Sequence, residues 1–219
     1  MKIIALADIH GRLDHLPRIG NEIASADLVL LAGDITQFGV AESASRVLEA
    51  FRVFNRRILA VAGNIDRPQA ARFLEDEGIS LHGRGKKVGD VGLFGAGGSN
   101  LTPLGTPNEM ADEDMLDVLE RGRAEIRDAA VKILVTHAPP RKTKVDRMFL
   151  GLHVGSGTLR AFIERAQPDL CLCGHIHEAR GTDVIGRTRI LNPGPFFKGG
   201  FARVEIDDGG IRAELASAV

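Results

Sequence analysis

The chain has 219 residues, enough for one domain over 1–219 with a sizeable core, and its 44% hydrophobic content lies in the globular range. Lys and Arg total 28 against 29 Asp and Glu, so the net charge of -1 supplies no basic field to hold nucleic acid. No apolar run approaches the length needed to cross a bilayer, so no membrane contact is expected.

In chain order, Met1-Lys2-Ile3-Ile4 opens a strand through Ala7, and Asp8 follows so closely that no cleavable signal peptide is expected. Helical spacing of Leu16, Ile19 and Ile23 predicts a helix over 13–25, with His15 on its surface. A strand over 28–32 precedes Asp34, and the stripe Ala44, Val47, Leu48 and Phe51 predicts a helix over 41–55. A third strand, 58–62, leads to Asn64, and Pro68 opens a helix at the first turn, where proline is tolerated. Strands alternating with helices on short links predict a parallel sheet. Short strands are expected over 79–82 and 87–94, with His82 exposed at an edge. A flexible glycine loop over 95–100 and a proline loop over 102–108 come next. A helix over 112–127 and a strand over 131–136 deliver His137. The segment 138–157 is long, irregular and charged, and loops of this length are often functional lids. A helix over 157–166 precedes the run Leu170 to Cys173, whose two cysteines read as small buried hydrophobes too poorly placed to bond to each other. With no disulfide framework, a cytoplasmic location is expected. Alternating strands over 182–191 and 201–206 suggest a second, mostly antiparallel sheet. The fold class is therefore α/β, a two-sheet sandwich of mixed strands with helices outside.

The chemistry concentrates at strand ends. His175 and His177 follow the run ending at Cys173, and in an extended segment residues at i and i+2 point to one side. Asp8 and His10 repeat that spacing, while Asp34, Asn64 and His137 each follow another apolar run. Three of these ends read small residue, glycine, donor, a pattern that lets the backbone turn sharply beside an ion. Ligands bind at the carboxyl ends of strands in open α/β sheets, so five such ends point to one site. The seven donors mix imidazole, carboxylate and amide oxygen without thiolate, which suits Mn, Fe or Zn. Seven exceed one tetrahedral site but fit two ions if a carboxylate bridges them, an arrangement that clamps displacement at phosphorus.

In order along the chain, Asp8-Ile9-His10, Gly33-Asp34, Gly63-Asn64, His137 and Gly174-His175-Ile176-His177 resemble the motifs of the calcineurin-like metallophosphoesterases. The likeness extends over nearly the whole chain, to Asn192-Pro193-Gly194-Pro195. The segments 97–100 and 151–156 are similar to those of the Icc-related predicted phosphoesterases of prokaryotes. The resemblance implies a four-layer sandwich and two divalent metal ions, Mn first with Fe, Zn or Ni as alternatives. It implies that Asp8, His10 and His177 hold one ion, that Asn64, His137 and His175 hold the other, and that Asp34 bridges them. A hydroxide bound to the two metals would be the nucleophile, with Asp34, Asn64 and His137 counted as catalytic.

One departure stands out. Many relatives carry histidine after the third-motif asparagine, whereas Ile65 stands here and can neither donate a proton nor hydrogen-bond. His153 in the long segment is the candidate replacement, with a structural histidine as the alternative. The expected function is metal-dependent hydrolysis of a small phosphoester, diesters ahead of monoesters, with a homodimer as the one assembly left open. A phosphomonoesterase and a non-catalytic metal-binding scaffold of the same fold are the alternatives; a nuclease is disfavoured by the neutral charge and by Ile65.

Overall fold

The run Lys2–Leu6 (β1) carries apolar side chains toward both faces, so it must be covered on both sides. The computed structural model, which describes residues 1–103 and 105–219, shows how. Leu104, inside the loop expected over 102–108, lies outside the described residues. Leu16–Ala24 (α1), Leu28–Ala32 (β2), Ala41–Arg52 (α2), Ile58–Val61 (β3) and Pro68–Asp76 (α3) follow in turn. The three strands pair in parallel, with Ile3 opposite Leu28 and Val29 opposite Ile58. On their outer face Ile4, Leu6 and Leu31 pack with Ile19, Ile23, Val47, Phe51 and Leu74 of the helices.

The second half begins with Gly85–Val88 (β4) and Val91–Ala96 (β5), the short Ser99–Asn100 (β6) and Glu109–Met110 (β7), and Asp112–Ala124 (α4). Val131–Thr136 (β8), Gly157–Ala166 (α5), Leu170–Leu172 (β9), Gly181–Ile185 (β10), Thr188–Asn192 (β11), Gly200–Asp207 (β12) and Gly210–Ser217 (β13) complete it. Among the described residues, one sheet has the order β13-β12-β1-β2-β3 and a second has β10-β11-β9-β8-β5-β4. Ile3, Ala5, Leu30 and Val204 of the first sheet meet Leu93, Ile133, Val135 and Leu172 of the second in a shared core. The outer face of the second sheet, with Phe94, Leu134, Cys171 and Ile190, is covered by Leu119, Phe162 and Ile163 of α4 and α5. The layers are therefore helix, sheet, sheet, helix, as the sequence predicts.

Several expectations are corrected. The tail does not build its own antiparallel sheet. β10 and β11 extend the second sheet, whose β11, β9, β8 and β5 are parallel neighbours, while β12 crosses to pair antiparallel with β1. The alternation in β12 permits this, with Phe201 facing the helices and Ala202, Val204 and Ile206 facing the other sheet. That double-sided pattern fits only inside a covered sheet. The 87–94 and 182–191 runs are each broken by a turn, and residues 79–82 make only isolated bridges through Ser80 and His82. The helices expected over 13–25, 41–55 and 112–127 are shorter at their ends, at 16–24, 41–52 and 112–124.

Phe51 is fully buried against β-strand and Phe196 side chains, whereas Val53 two residues on is 79% exposed. Phe51→Ala should lower the unfolding free energy by about 3–5 kcal/mol. Val53→Ala should stay within about 0.5 kcal/mol. Urea denaturation of both variants checks the pair, and equal effects would contradict this packing.

Candidate metal centre

At the carboxyl ends of β1, β2, β3, β8 and β9 the chain delivers Asp8, Asp34, Asn64, His137 and His175 to one place, with His10 and His177 close behind. The means differ from simple strand alternation. Asp8, His10, Asp34 and His175 all adopt left-handed backbone, with φ of 54°, 53°, 47° and 70°. His177 starts a short 3-10 turn. The i, i+2 geometry expected for an extended segment is therefore not what brings these side chains together; tight left-handed kinks are. Each such residue costs roughly 1–3 kcal/mol and persists only where surroundings fix it. Here the Asp8 amide donates to Gly33 O at 3.0 Å, the His10 amide to Asp34 O at 2.8 Å, and the His175 amide to the Asp8 carboxylate at 3.1 Å. Glycine is required where the strand ends touch. A Cβ at Gly63 would overlap the Asp34 carboxylate, and Gly33 combines φ of 86° with a place against the His137 ring.

Two triads of ligand atoms result, Asp8–His10–His177 and Asp8–Asp34–His137. Asp34 Oδ2 also lies 3.8 Å from His10 Nε2 and 3.4 Å from His137 Nε2, so it reaches into both groups. Asn64 Oδ1 stands 3.0 Å from His137 Nε2. His175 belongs to neither triad; its ring packs edge-on to His137, with centroids 5.0 Å apart. His10 and His177 bring their Nε2 atoms within 3.2 Å of each other.

These contacts test whether a cation fits. His137 Nδ1 faces Ala32 O at 2.9 Å, and a carbonyl can only accept, so the ring proton sits there. The Nε2 lone pair then points at two further acceptor oxygens, from Asp34 and Asn64. Something positive must occupy that corner, a proton or a metal ion. Without a metal, burial opposes charge on His137, but the Asp34 carboxylate overrides it and raises the imidazole to about 9. Burial likewise opposes charge on Asp34, yet the His137 charge holds its carboxyl well below the usual range. Burial, then the His137 charge, lowers His175 to about 4, leaving it a neutral donor at pH 7. The donor set fits divalent cations, with oxygen and imidazole ligands only.

Supporting residues include several that motif reading does not single out. Asp66 is buried and accepts from the amides of Ile35, Thr36 and Gly63 and from the Thr36 hydroxyl, tying the β2 and β3 loops together. Burial, then the Asp34 charge, raises its carboxyl. Gln37 Oε1 holds His10 Nδ1 at 2.8 Å, and the Phe197 ring packs against both His10 and His177. Ile65 contributes its amide, which donates to Asp34 Oδ1 at 3.1 Å. A cleft of about 440 Å³ opens beside the cluster, lined by Asn64, His175, His177, Arg141, Met148 and His153. The larger hollow, about 860 Å³ around His82, Arg84 and Arg121, shares no residue with the cluster.

Other expectations change. His82 is half-buried, accepting the Gly97 amide on Nδ1 at 3.1 Å, so it is neither exposed nor at the cluster. The 95–100 glycine segment is built into β5 and β6 and mostly buried rather than a free loop. His15 packs its ring edge-on to Phe196 instead of lying on the surface. Cys171 and Cys173 are buried and free. Segment 138–157 is stapled across its base, Pro140 to Ser156 and Arg147 to His153, and holds two 3-10 turns.

Carboxylates and imidazoles gathered at the strand ends of a two-sheet sandwich make a candidate metal-binding cluster. The chain belongs to the calcineurin-like phosphoesterase family, whose model matches residues 1–179. An uncharacterized protein of Methanocaldococcus jannaschii is 35% identical over 199 residues, covering 89% of this chain and 88% of that one. A probable cyclic nucleotide phosphodiesterase of Synechococcus sp. is 28% identical over 205 residues, covering 87% of this chain and 76% of that protein. The crystal structure of a dimetal phosphatase from Danio rerio superposes with a TM-score of 0.69 at 12% identity, covering 100% and 96% of the two chains. Among the described residues no helix is long and apolar enough to cross a membrane.

The raised His137 predicts a sign. In metal-free protein its protonated form stabilises the fold fully below about pH 6.5, and that contribution is lost as pH rises through about 9. An incoming cation must displace that proton, so metal affinity should rise up to about tenfold per pH unit between pH 7 and 9. Calorimetry at pH 7 in buffers of different ionisation heat should show about one proton released at this corner. Affinity independent of pH, with no proton release, would contradict the arrangement.

Proposed function

We propose that this chain is a binuclear metal-dependent phosphodiesterase acting on a small phosphoester. The observation that carries the reading is the single atom Asp34 Oδ2 within reach of both His10 and His137, a carboxylate shared by two groups of donors. Asp8, His10 and His177 would hold one ion, and Asn64, His137 and His175 the other, with Asp34 between. Two divalent ions, Mn before Fe, Zn or Ni, would supply Lewis-acid polarisation of a phosphoryl oxygen and acidify a water.

The protein's own part is orientation. Ala32 O and Gln37 fix the His137 and His10 rings, and the Ile65 amide fixes the Asp34 carboxylate. Arg141 lines the cleft and gives a cationic wall for a phosphate oxygen. Leu101, Pro103, Met148 and Ile176 form an apolar wall beyond Asn64 and His175, with room for a second ester arm on phosphorus. That room, and the likeness to a probable cyclic nucleotide phosphodiesterase, support diesters over monoesters. The two buried free cysteines support a cytoplasmic setting.

Elemental analysis after reconstitution should approach two ions per chain, and Asp34→Asn should reduce occupancy at both. One tightly held ion that survives Asp34→Asn would remove the bridge. With Mn, Fe, Zn, Ni or Mg restored singly, diesters should outpace monoesters on a substrate panel, and His175→Ala should abolish turnover. Loaded protein that hydrolyses nothing on the panel would turn the reading toward a scaffold.

A further inference from the structure

The cleft wall holds an imidazole outside the seven-residue cluster, His153, and it is held from behind by a buried carboxylate, Asp146. We propose that Asp146 and His153 form a proton-donating dyad, which fits the site to phosphodiesters whose leaving group is an unactivated alkoxide, such as a ribose or glycerol oxygen. The inference rests on the phosphodiesterase reading above.

Asp146 is fully buried, and its Oδ1 lies 2.6 Å from His153 Nδ1. The carboxylate does not need the imidazole. It already accepts from the amides of Lys142, Thr143 and Gly155 and from the Thr143 hydroxyl. The bond therefore serves the histidine, fixing its ring and placing a proton on Nδ1. The side chain of His153 remains 35% exposed, and among the described residues Nε2 has no protein partner. A core histidine would be covered; this one lines the cleft that Asn64, His175 and His177 also line.

The mount is rigid. The Arg141 amide donates to Ser156 O and the Ser156 amide to Pro139 O, closing the base of the segment. The Val154 amide donates to Asp146 O, and the Lys144 amide to Asp183. A reacting group held this way keeps its position through the reaction. Arg141 and Glu178 line the same cleft, and Arg147 bridges His153 along the backbone.

A water oxygen bonds to phosphorus as the bond from phosphorus to the ester oxygen breaks. The electron pair of that bond stays on the leaving oxygen and takes the Nε2 proton of the His153 imidazolium, whose Nδ1 proton remains on the bond to Asp146, so an alcohol departs and the ring is left neutral. The water's proton goes to solvent, and solvent later reprotonates Nε2. Without the dyad the oxygen would leave as an alkoxide, a far poorer leaving group than nitrophenolate. Positioned general acids are typically worth about 10²–10⁴-fold.

The test compares metal-loaded wild type, His153→Gln and Asp146→Asn on bis-nitrophenyl phosphate and on a dinucleotide, whose leaving oxygen is a ribose hydroxyl. His153→Gln should lose about 10²-fold more rate on the dinucleotide than on the nitrophenyl diester. Asp146→Asn should shift the ratio the same way, with metal content unchanged in both variants. Equal losses on the two substrates would overturn the proposal. A wild type that cleaves monoesters but not diesters removes the phosphodiesterase reading alone, and the ratio is then read on alkyl and nitrophenyl monoesters. Nitrogen-15 shifts of the His153 ring give a readout independent of turnover. The neutral ring should carry its proton on Nδ1 in wild type and mix tautomers in Asp146→Asn. An unprotonated Nδ1 in wild type, or an Asp146→Asn variant with unchanged tautomer and ratio, would reduce Asp146 to a structural tie.

Discussion

The Asp34 carboxylate is the constraint around which this end of the molecule is arranged. It is nearly inaccessible, yet it stays ionised because His137 and His10 face one oxygen and the Ile65 amide donates to the other. Removing a carboxylate from water is costly unless it is paired. The surrounding chain is shaped to provide that pairing. Asp66 ties the β2 loop to the β3 loop, so that the Ile65 amide and the Asn64 side chain arrive where Asp34 and His137 need them. With three acceptor atoms turned toward one corner, the protein alone is incomplete in charge. A proton completes it, which is why the His137 imidazole is raised to about 9, and a divalent cation could take that proton's place.

Holding acceptors together requires backbone that would not otherwise be populated. Four ligand-type residues sit at positive φ, and none is glycine. Their strain is offset by the sheets beneath them, whose shared core of Ile3, Leu30, Val61, Leu93, Val135 and Leu172 fixes every strand end relative to the others. A rigid sandwich is thus a condition of the site rather than a carrier for it. A shift of one strand by a residue would remove a donor from the cluster and turn that strand's apolar faces around.

The cleft has a division of labour that follows the two halves of the chain. The first sheet supplies Asp8, His10, Asp34 and Asn64, mostly oxygen. The second sheet and its loops supply His137, His175 and His177, then Arg141, Met148 and His153 on the outer wall. The donors of the two halves meet at the seam between the sheets, so the cluster exists only when both sheets are in place.

The sequence by itself determined the sandwich class, the strands 131–136 and 28–32 and the helix 157–166, and it singled out the seven side chains that the fold gathers at the strand ends. These are local matters: apolar runs must be buried, and a strand that ends in glycine and a donor ends at a site. The route of β12 across to β1 was decided by tertiary structure, because its alternation is compatible with either sheet and only the space beside β1 selects one. The left-handed kinks at Asp8, His10, Asp34 and His175 were equally hidden, since Asp and His are enriched at positive φ but far more often found elsewhere. Asp146 was legible only as one charge in a charged run. What distinguishes it is burial under the amides of Lys142, Thr143 and Gly155, and burial is a property of the folded loop, not of the residue.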